Sequence, residues 1–251
     1  MNFELDILLP AFLAGLLVLA THIPFGMRVL QRGVIFADLA VAQIAGLGVI
    51  AAGLLDLQGN PLLVQVVAVI SALCGAALLA WIESRRPELK EAAIGLTFVL
   101  AATAGILMMS RDVHAGEHLK DLLVGQILWV SDSQLIATAA LTAALLATWQ
   151  LLRGRFGNLG FYALFALAIT ASVQLVGVYL VFASLILPAL ATHGRVRYRL
   201  PWAYAVGIAG YALGLGLSVW FDLPAGAAIV WAMALAGWAA RLSRMPANAD
   251  I

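Results

Sequence analysis

The chain predicts an all-α integral membrane protein, a polytopic bundle of eight or nine spans that forms a single transmembrane domain over residues 1–251. Composition is the first reason. Hydrophobic residues make up 64% of the chain and charged residues 11%, where a soluble domain carries about a quarter charged residues. Mean hydropathy is +1.02. Run length is the second reason: the apolar stretches are about 20 residues long, as a hydrocarbon core of roughly 30 Å demands of a helix. They lack the roughly ten-residue alternation of a lipid-facing barrel strand. Third, the links are short and rich in Gly, Pro and charge, which leaves no room for a soluble domain.

The apolar segments fall at 7–29, 33–55, 62–81, 92–110, 134–152, 161–192, 201–219 and 224–240. The opening MNFELDILLPAFLAG places Glu4 and Asp6 where a secretory signal has a basic region, so the first run is expected to be a permanent span. Lys and Arg concentrate in cytoplasmic loops. Arg28 and Arg32 close the first span, the 56–61 loop has no basic residue, and ESRRPELK (83–90) carries Arg85, Arg86 and Lys90. The first span therefore enters from outside. RDVHAGEHLKD (111–121) and SVWFDLPAG (218–226) suit the outside, whereas Arg153, Arg155, HGRVRYR (193–199) and RLSR (241–244) suit the inside.

Residues 161–192 must then leave and return. A single helix of that length would measure nearly 50 Å, too long for an upright pass, while two passes would each be short. Two short helices meeting near Gly177 is the favoured arrangement, and one long tilted helix is the alternative. Segment 113–132 is apolar over too short a run to span, so it predicts an interfacial or re-entrant helix ending before Ser131. Ser131 and Gln134 form a capping-box pattern for the next span. Small-residue repeats, AxxGxxxAG at 45–53 and GIAGYALGLG at 207–216, predict close helix contact.

Net charge is +1 from 14 basic and 13 acidic residues, which leaves no basic face for nucleic acid. Cys74 has no partner in the chain and is expected to be a small buried helix residue. No nucleotide-binding Gly-rich loop with a Lys and no GxSxG nucleophile are present, so the chain is not expected to be an enzyme and any ATPase must be a separate subunit.

Polar residues inside the apolar runs are the candidates for function, because burying them in a bilayer is expensive. Asp38 is the carboxylate well inside an early run; it could line a pathway, or it could sit near the inner headgroups and pair with Arg32. Gln43 follows five residues later, about 140° around a helix, so the two are poor partners on one ion. Gln43, Gln65, Gln126 and Gln174 spread over four segments and could line a polar path or cross-link helices. His114 and His118 in HAGEH stand at i and i+4 with Glu117 between them, a pattern that could gather a divalent ion from outside. His22 near Pro24, and Pro188, could shape a pathway through kinks.

The motif order VLQRGVIFAD (29–38), AGLGV (45–49), LLVGQILWV (122–130), VQLVGVYLVFASLILPALAT (173–192) and FDLPAG (221–226) resembles the membrane permease of metal-ion ABC importers, the zinc, manganese and iron group. The long run with Gly177, Ser184 and Pro188 is its most specific part. The resemblance implies a permease that moves a divalent metal ion or a metal-loaded small molecule into the cytoplasm, across the inner (cytoplasmic) membrane. It implies a second copy of the permease, a cytoplasmic ATPase dimer and an extracytoplasmic substrate-binding protein as partners. No cofactor is expected on this chain; ATP and Mg belong to the ATPase. The candidate metal residues are Asp38, Gln43, Gln126, His114 and His118, and the candidate substrate path is Gln65, Gln174, Ser184 and Pro188.

Three positions depart from the family pattern. Its second span commonly has an Asp and a His four residues apart, whereas here Gln43 lies one residue beyond the His position counted from Asp38. Gln126 stands where zinc members often have Asp, and LLRGRFGNLGFY (151–162) is shorter than the family segment that carries the coupling helix, so that either HGRVRYR or ESRRPELK does more of the docking on the ATPase or the coupling to ATP is altered. The rival readings are a carrier or channel that works without an ATPase, and a membrane scaffold that keeps the fold without transport.

Overall fold

The structure, a computed structural model, describes residues 2–110, 123–152, 155, 157–195 and 197–242. Among these, nine α-helices follow one another: α1 Asn2–Arg32, α2 Ala37–Leu54, α3 Pro61–Arg85, α4 Lys90–Met108, α5 Asp132–Leu151, α6 Asn158–Val176, α7 Val178–Ala191, α8 Arg199–Phe221 and α9 Ala225–Leu242. Eight are long and apolar enough to cross a membrane; α7 is apolar but shorter. The described residues contain no strand.

The 161–192 run divides where two short helices were expected. α6 ends at Val176 and α7 begins at Val178, and Gly177 between them has φ 79° and ψ 163°. Only glycine adopts that backbone without strain. A second glycine in the left-handed half of the map, Gly125 with φ 70°, packs its main chain on this break. A methyl group on Gly177 would lie 2.5 Å from the carbonyl carbon of Val124 and 2.8 Å from Cα of Gly125. On the other side, a methyl on Gly226 in α9 would lie 2.8 Å from the carbonyl oxygen of Val124. Residues 124–125 are thus wedged between the helix break and the first turn of α9. Protein rather than lipid covers the irregular backbone, as a break in a membrane helix requires.

The described part of the 113–132 segment does not span. It runs through a 3₁₀ turn at Ile127–Trp129 to Ser131, which caps α5. The predicted capping box is present: the Gln134 amide donates to Ser131 Oγ at 3.3 Å, and the Ser131 amide donates to Gln134 Oε1 at 3.0 Å.

α6 and α7 are the most enclosed helices, with α1, α2, α3, α8 and α9 packed around them and α4 and α5 more peripheral. The small-residue repeat in α8 does what its spacing predicts, since Gly210 and Gly214 bring α8 against the main chain of Met233 and Ile229 in α9. Phe25 of α1 collects Trp149 from the end of α5 and Phe161 and Phe165 from α6 in edge-to-face contacts at 5.2 to 6.0 Å. That cluster ties the end of α5 to the start of α6 across the short link between them.

Cys74 is a correction: it is exposed, not buried. α3 buries the stripe Ala68, Ala72, Gly75, Ala76 and Leu79, where Gly75 meets Ile44 of α2, and position 74 falls off that stripe.

Candidate functional site

The helix that carries Asp38 begins unusually. Phe36 precedes α2 without capping it, and Asp38 stands in the first turn, where a negative charge faces the positive end of the helix dipole. Asp38 is 1% exposed. Among the described residues neither carboxylate oxygen has a side-chain or charged partner, and only the Asp38 and Leu39 main-chain amides of the helix start lie near it. A buried carboxylate without a counter-charge is strongly disfavoured by desolvation, so packing alone gives no reason for an acid here.

Arg32 does not supply the missing partner. Its guanidinium reaches Glu83 of α3 and the side-chain oxygen of Asn158 in α6, each at 3.2 Å, and lies 4.2 Å from the centre of the Phe161 ring. The Asp38–Arg32 pairing that the sequence left open is not formed. Asn158 in turn donates to Ser84 at 3.4 Å. One arginine therefore joins the end of α1 to the end of α3 and the start of α6.

The turn between α1 and α2 is held from outside itself. Gly33 has φ 64°, and the Val34 amide donates back to Val29. The Lys90 ammonium donates to the carbonyl of Arg32, and the Ile35 amide donates to Glu91 Oε1 at 3.2 Å. Phe36 stacks parallel on Phe182 of α7 with ring centres 6.2 Å apart. α4 and α7 thus fix the start of the helix that presents Asp38.

The other candidates are dispersed. Gln43 and Gln65 are half-buried on α2 and α3. Because α2 is one regular helix, Gln43 projects about 140° away from Asp38. Gln126 and Gln174 are exposed, and the Gly125–Gly177 contact brings the segments that carry them to one junction. Ser184 is fully buried and shares a 2.9 Å hydrogen bond with Tyr211 of α8, so its hydroxyl joins α7 to α8. Pro188 is buried inside α7, whose helix continues through it to Ala191. His114 and His118 lie outside the described residues. Among the described residues no three of His, Cys, Asp and Glu cluster as metal ligands.

Two further groups belong with these. His22 is fully buried, with Nδ1 2.9 Å from the Val18 carbonyl and 3.0 Å from Thr21 Oγ1, while Nε2 has no partner. Thr170 in α6 is buried with an unpartnered hydroxyl. Tyr211 and Thr170 were not singled out from sequence. A hydroxyl inside an apolar helix is a weak signal, since membrane helices use hydroxyls to bond their own backbone or a neighbour.

Comparison with known proteins adds to this geometry. A family model described as the ABC 3 transport family matches residues 4–157 and 147–240. A probable iron transport system membrane protein of Haemophilus influenzae is 31% identical over 163 residues, 56% of this chain and 60% of that relative. The match thus spans less than two thirds of the relative's length. The solved structure of PsaBC from Streptococcus pneumoniae in complex with Fab superposes with a TM-score of 0.70, covering 96% of this chain and 91% of that one at 22% identity. At that identity the likeness speaks for the fold.

Proposed function

Because this chain belongs to the ABC 3 transport family, we propose that it is the membrane-spanning permease subunit of an ATP-driven importer. Its cargo is a divalent metal ion, such as the iron for which the Haemophilus influenzae relative is named, or a metal-loaded small molecule. It works in the inner membrane as a dimer with a second copy, two cytoplasmic ATPase subunits that bind ATP and Mg, and an extracytoplasmic binding protein that delivers the cargo.

The observation that carries this reading is Asp38: an acid sealed in the bundle, without a side-chain or charged partner, at the start of a helix in the fold of a transport family. A carboxylate of this kind is suited to meet a cation in transit, with neutral oxygens from glutamine, main chain or water completing the shell. Gln43, Gln65, Gln126, Gln174, Ser184 and Pro188 line the remaining path in this scheme, and His114 and His118 receive the ion outside.

The test is co-expression with the candidate ATPase, reconstitution of the purified complex into vesicles, and measurement of ferrous iron, manganese and zinc uptake with and without ATP. ATP-dependent uptake of one of these ions that Asp38→Asn abolishes supports the reading. An ATPase that never copurifies, together with uptake indifferent to ATP, overturns it.

A second reading, a carrier or channel without an ATPase, has one observation in its favour. α5 ends at Leu151 and α6 starts at Asn158, and the Phe25 cluster pins both ends, which leaves little chain there for a docking helix. Stable copurification of an ATPase in fixed ratio excludes it.

A further inference from the structure

The cytoplasmic turn between α3 and α4 is joined directly to the helix start that presents Asp38. The turn, Pro87–Leu89, is a single 3₁₀ turn started by a proline, and residues 84–89 are all exposed. Its sequence offers Arg85, Arg86, Glu88 and an exposed Leu89. The next two residues are Lys90 and Glu91, the first of α4. Lys90 takes the last carbonyl of α1 at Arg32, and Glu91 takes the Ile35 amide just before α2. These are opposite ends of one short connection, gripped by neighbouring side chains of one helical turn. α2 has no side-chain cap of its own, and this grip anchors the connection that leads into it.

We propose that Lys90 and Glu91 are positioning residues that transmit movement of the 85–89 turn to Asp38, and that a cytoplasmic ATPase subunit is what bears on that turn. This rests on the importer reading above. Three features favour the route. The turn is exposed and carries more basic than acidic side chains, which fits an acidic partner surface. Its proline-started turn is stiff, so a push is not absorbed locally. The short α5–α6 link leaves little chain for docking, and of the basic links ESRRPELK and HGRVRYR it is the first that runs directly into Lys90 and Glu91. Displacing the first turn of α4 pulls on both the Arg32 carbonyl and the Ile35 amide, and the helix start carrying Asp38 must follow.

The experiment uses the full complex with its ATPase in vesicles, in a Cys74→Ser background with Gln31→Cys as the reporter. Gln31 is exposed beside the turn. Its rate of modification by a soluble maleimide is measured with and without ATP and Mg, alongside iron uptake in the same vesicles. The expected result is an ATP-dependent change in labelling rate that falls about tenfold or more in Lys90→Met and in Glu91→Ala, a loss in proportion to one charge-assisted hydrogen bond each. Lys90→Arg and Glu91→Gln keep the donor and the acceptor and restore it. If Lys90→Met and Glu91→Ala assemble with the ATPase and keep the full ATP-dependent change, the proposal is overturned while ATP-driven uptake leaves the importer reading standing. If no uptake depends on ATP and no ATPase is retained, the importer reading fails and takes this route with it.

Discussion

Gly125 and Gly177 meet main chain to main chain, and each has a positive φ and no room for a side chain. One sits in the link before α5 and the other at the break between α6 and α7. Their contact lets a buried helix stop within the protein without exposing its freed backbone to lipid. α7, with 14 residues, measures about 21 Å at 1.5 Å per residue, so its first turn needs such cover.

Gly177→Ala and Gly125→Ala are each expected to destabilise the protein by roughly 3 kcal/mol or more, from a left-handed backbone penalty together with overpacking against main chain. The readout is the temperature at which the detergent-solubilised protein leaves its monodisperse peak on size exclusion. Gly216→Ala is the control, because a methyl there meets nothing within 4 Å; inside a helix alanine is favoured over glycine, so that temperature is expected to stay the same or rise.

Ser184 and Tyr211 give a graded comparison on the other side of α7. Tyr211→Phe removes their 2.9 Å hydrogen bond, and interhelical bonds in membranes are worth about 0.6 kcal/mol on average. Gly15→Ala instead drives a methyl to 2.5 Å from Tyr211 Cε1. The Tyr211 ring is fully buried and has nowhere to go, so the expected cost is about 1–3 kcal/mol. Thermal stability should therefore fall further for Gly15→Ala than for Tyr211→Phe, and the reverse order would show that the hydroxyl pair matters more than the helix approach.

These two contacts also show where sequence reading ends. Run lengths, basic loops, the Ser131–Gln134 box and the need for a break near Gly177 are all local, so they are legible before the helices are arranged. That Gly125 covers the break is not, because it joins residues whose contact depends on the order of helices around the core. The same holds for Arg32. The acid nearest to it in sequence is Asp38, yet geometry gives it to Glu83, and the acid left behind becomes the more informative residue. The exposure of Cys74 escapes the sequence for a related reason: α3 is apolar on nearly all sides, and periodicity does not separate its outer face from its packed face.

Arg32→Lys is expected to behave as a loss rather than a conservative change. The guanidinium donates from one nitrogen to Glu83 and Asn158 while its central carbon lies over Phe161; an ammonium can make the two bonds, but it lacks the planar group that covers the ring at the same time. The ion pair is partly shielded, at 21% and 13% side-chain exposure, so a double-mutant cycle of Arg32→Met with Glu83→Gln should give a coupling of about 1 kcal/mol, the upper end for a surface pair. Little dependence of that coupling on salt would place the pair in the screened interior, whereas a coupling that vanishes in high salt would mark it as a surface contact.

Asp38→Asn separates stability from function. If the acid were kept for packing, replacing it with its neutral isostere would leave transport intact. In the importer reading the amide removes the desolvation cost of the carboxylate with almost no change of shape, against a buried amide donor and a lost interaction with the helix start, so the stability should stay close to that of the parent. Each kcal/mol of change corresponds to about 2–4 °C for a chain of this size. Uptake should fall by about tenfold or more at the same time, since an amide oxygen offers a dehydrated cation no charge. Both quantities are measured on one preparation: a melt in detergent, then ATP-dependent iron uptake after reconstitution. Stability kept and uptake lost assigns Asp38 to the path of the ion. Stability lost together with uptake would instead make the carboxylate a structural group, and the site would have to be sought among the glutamines at the Gly125–Gly177 junction.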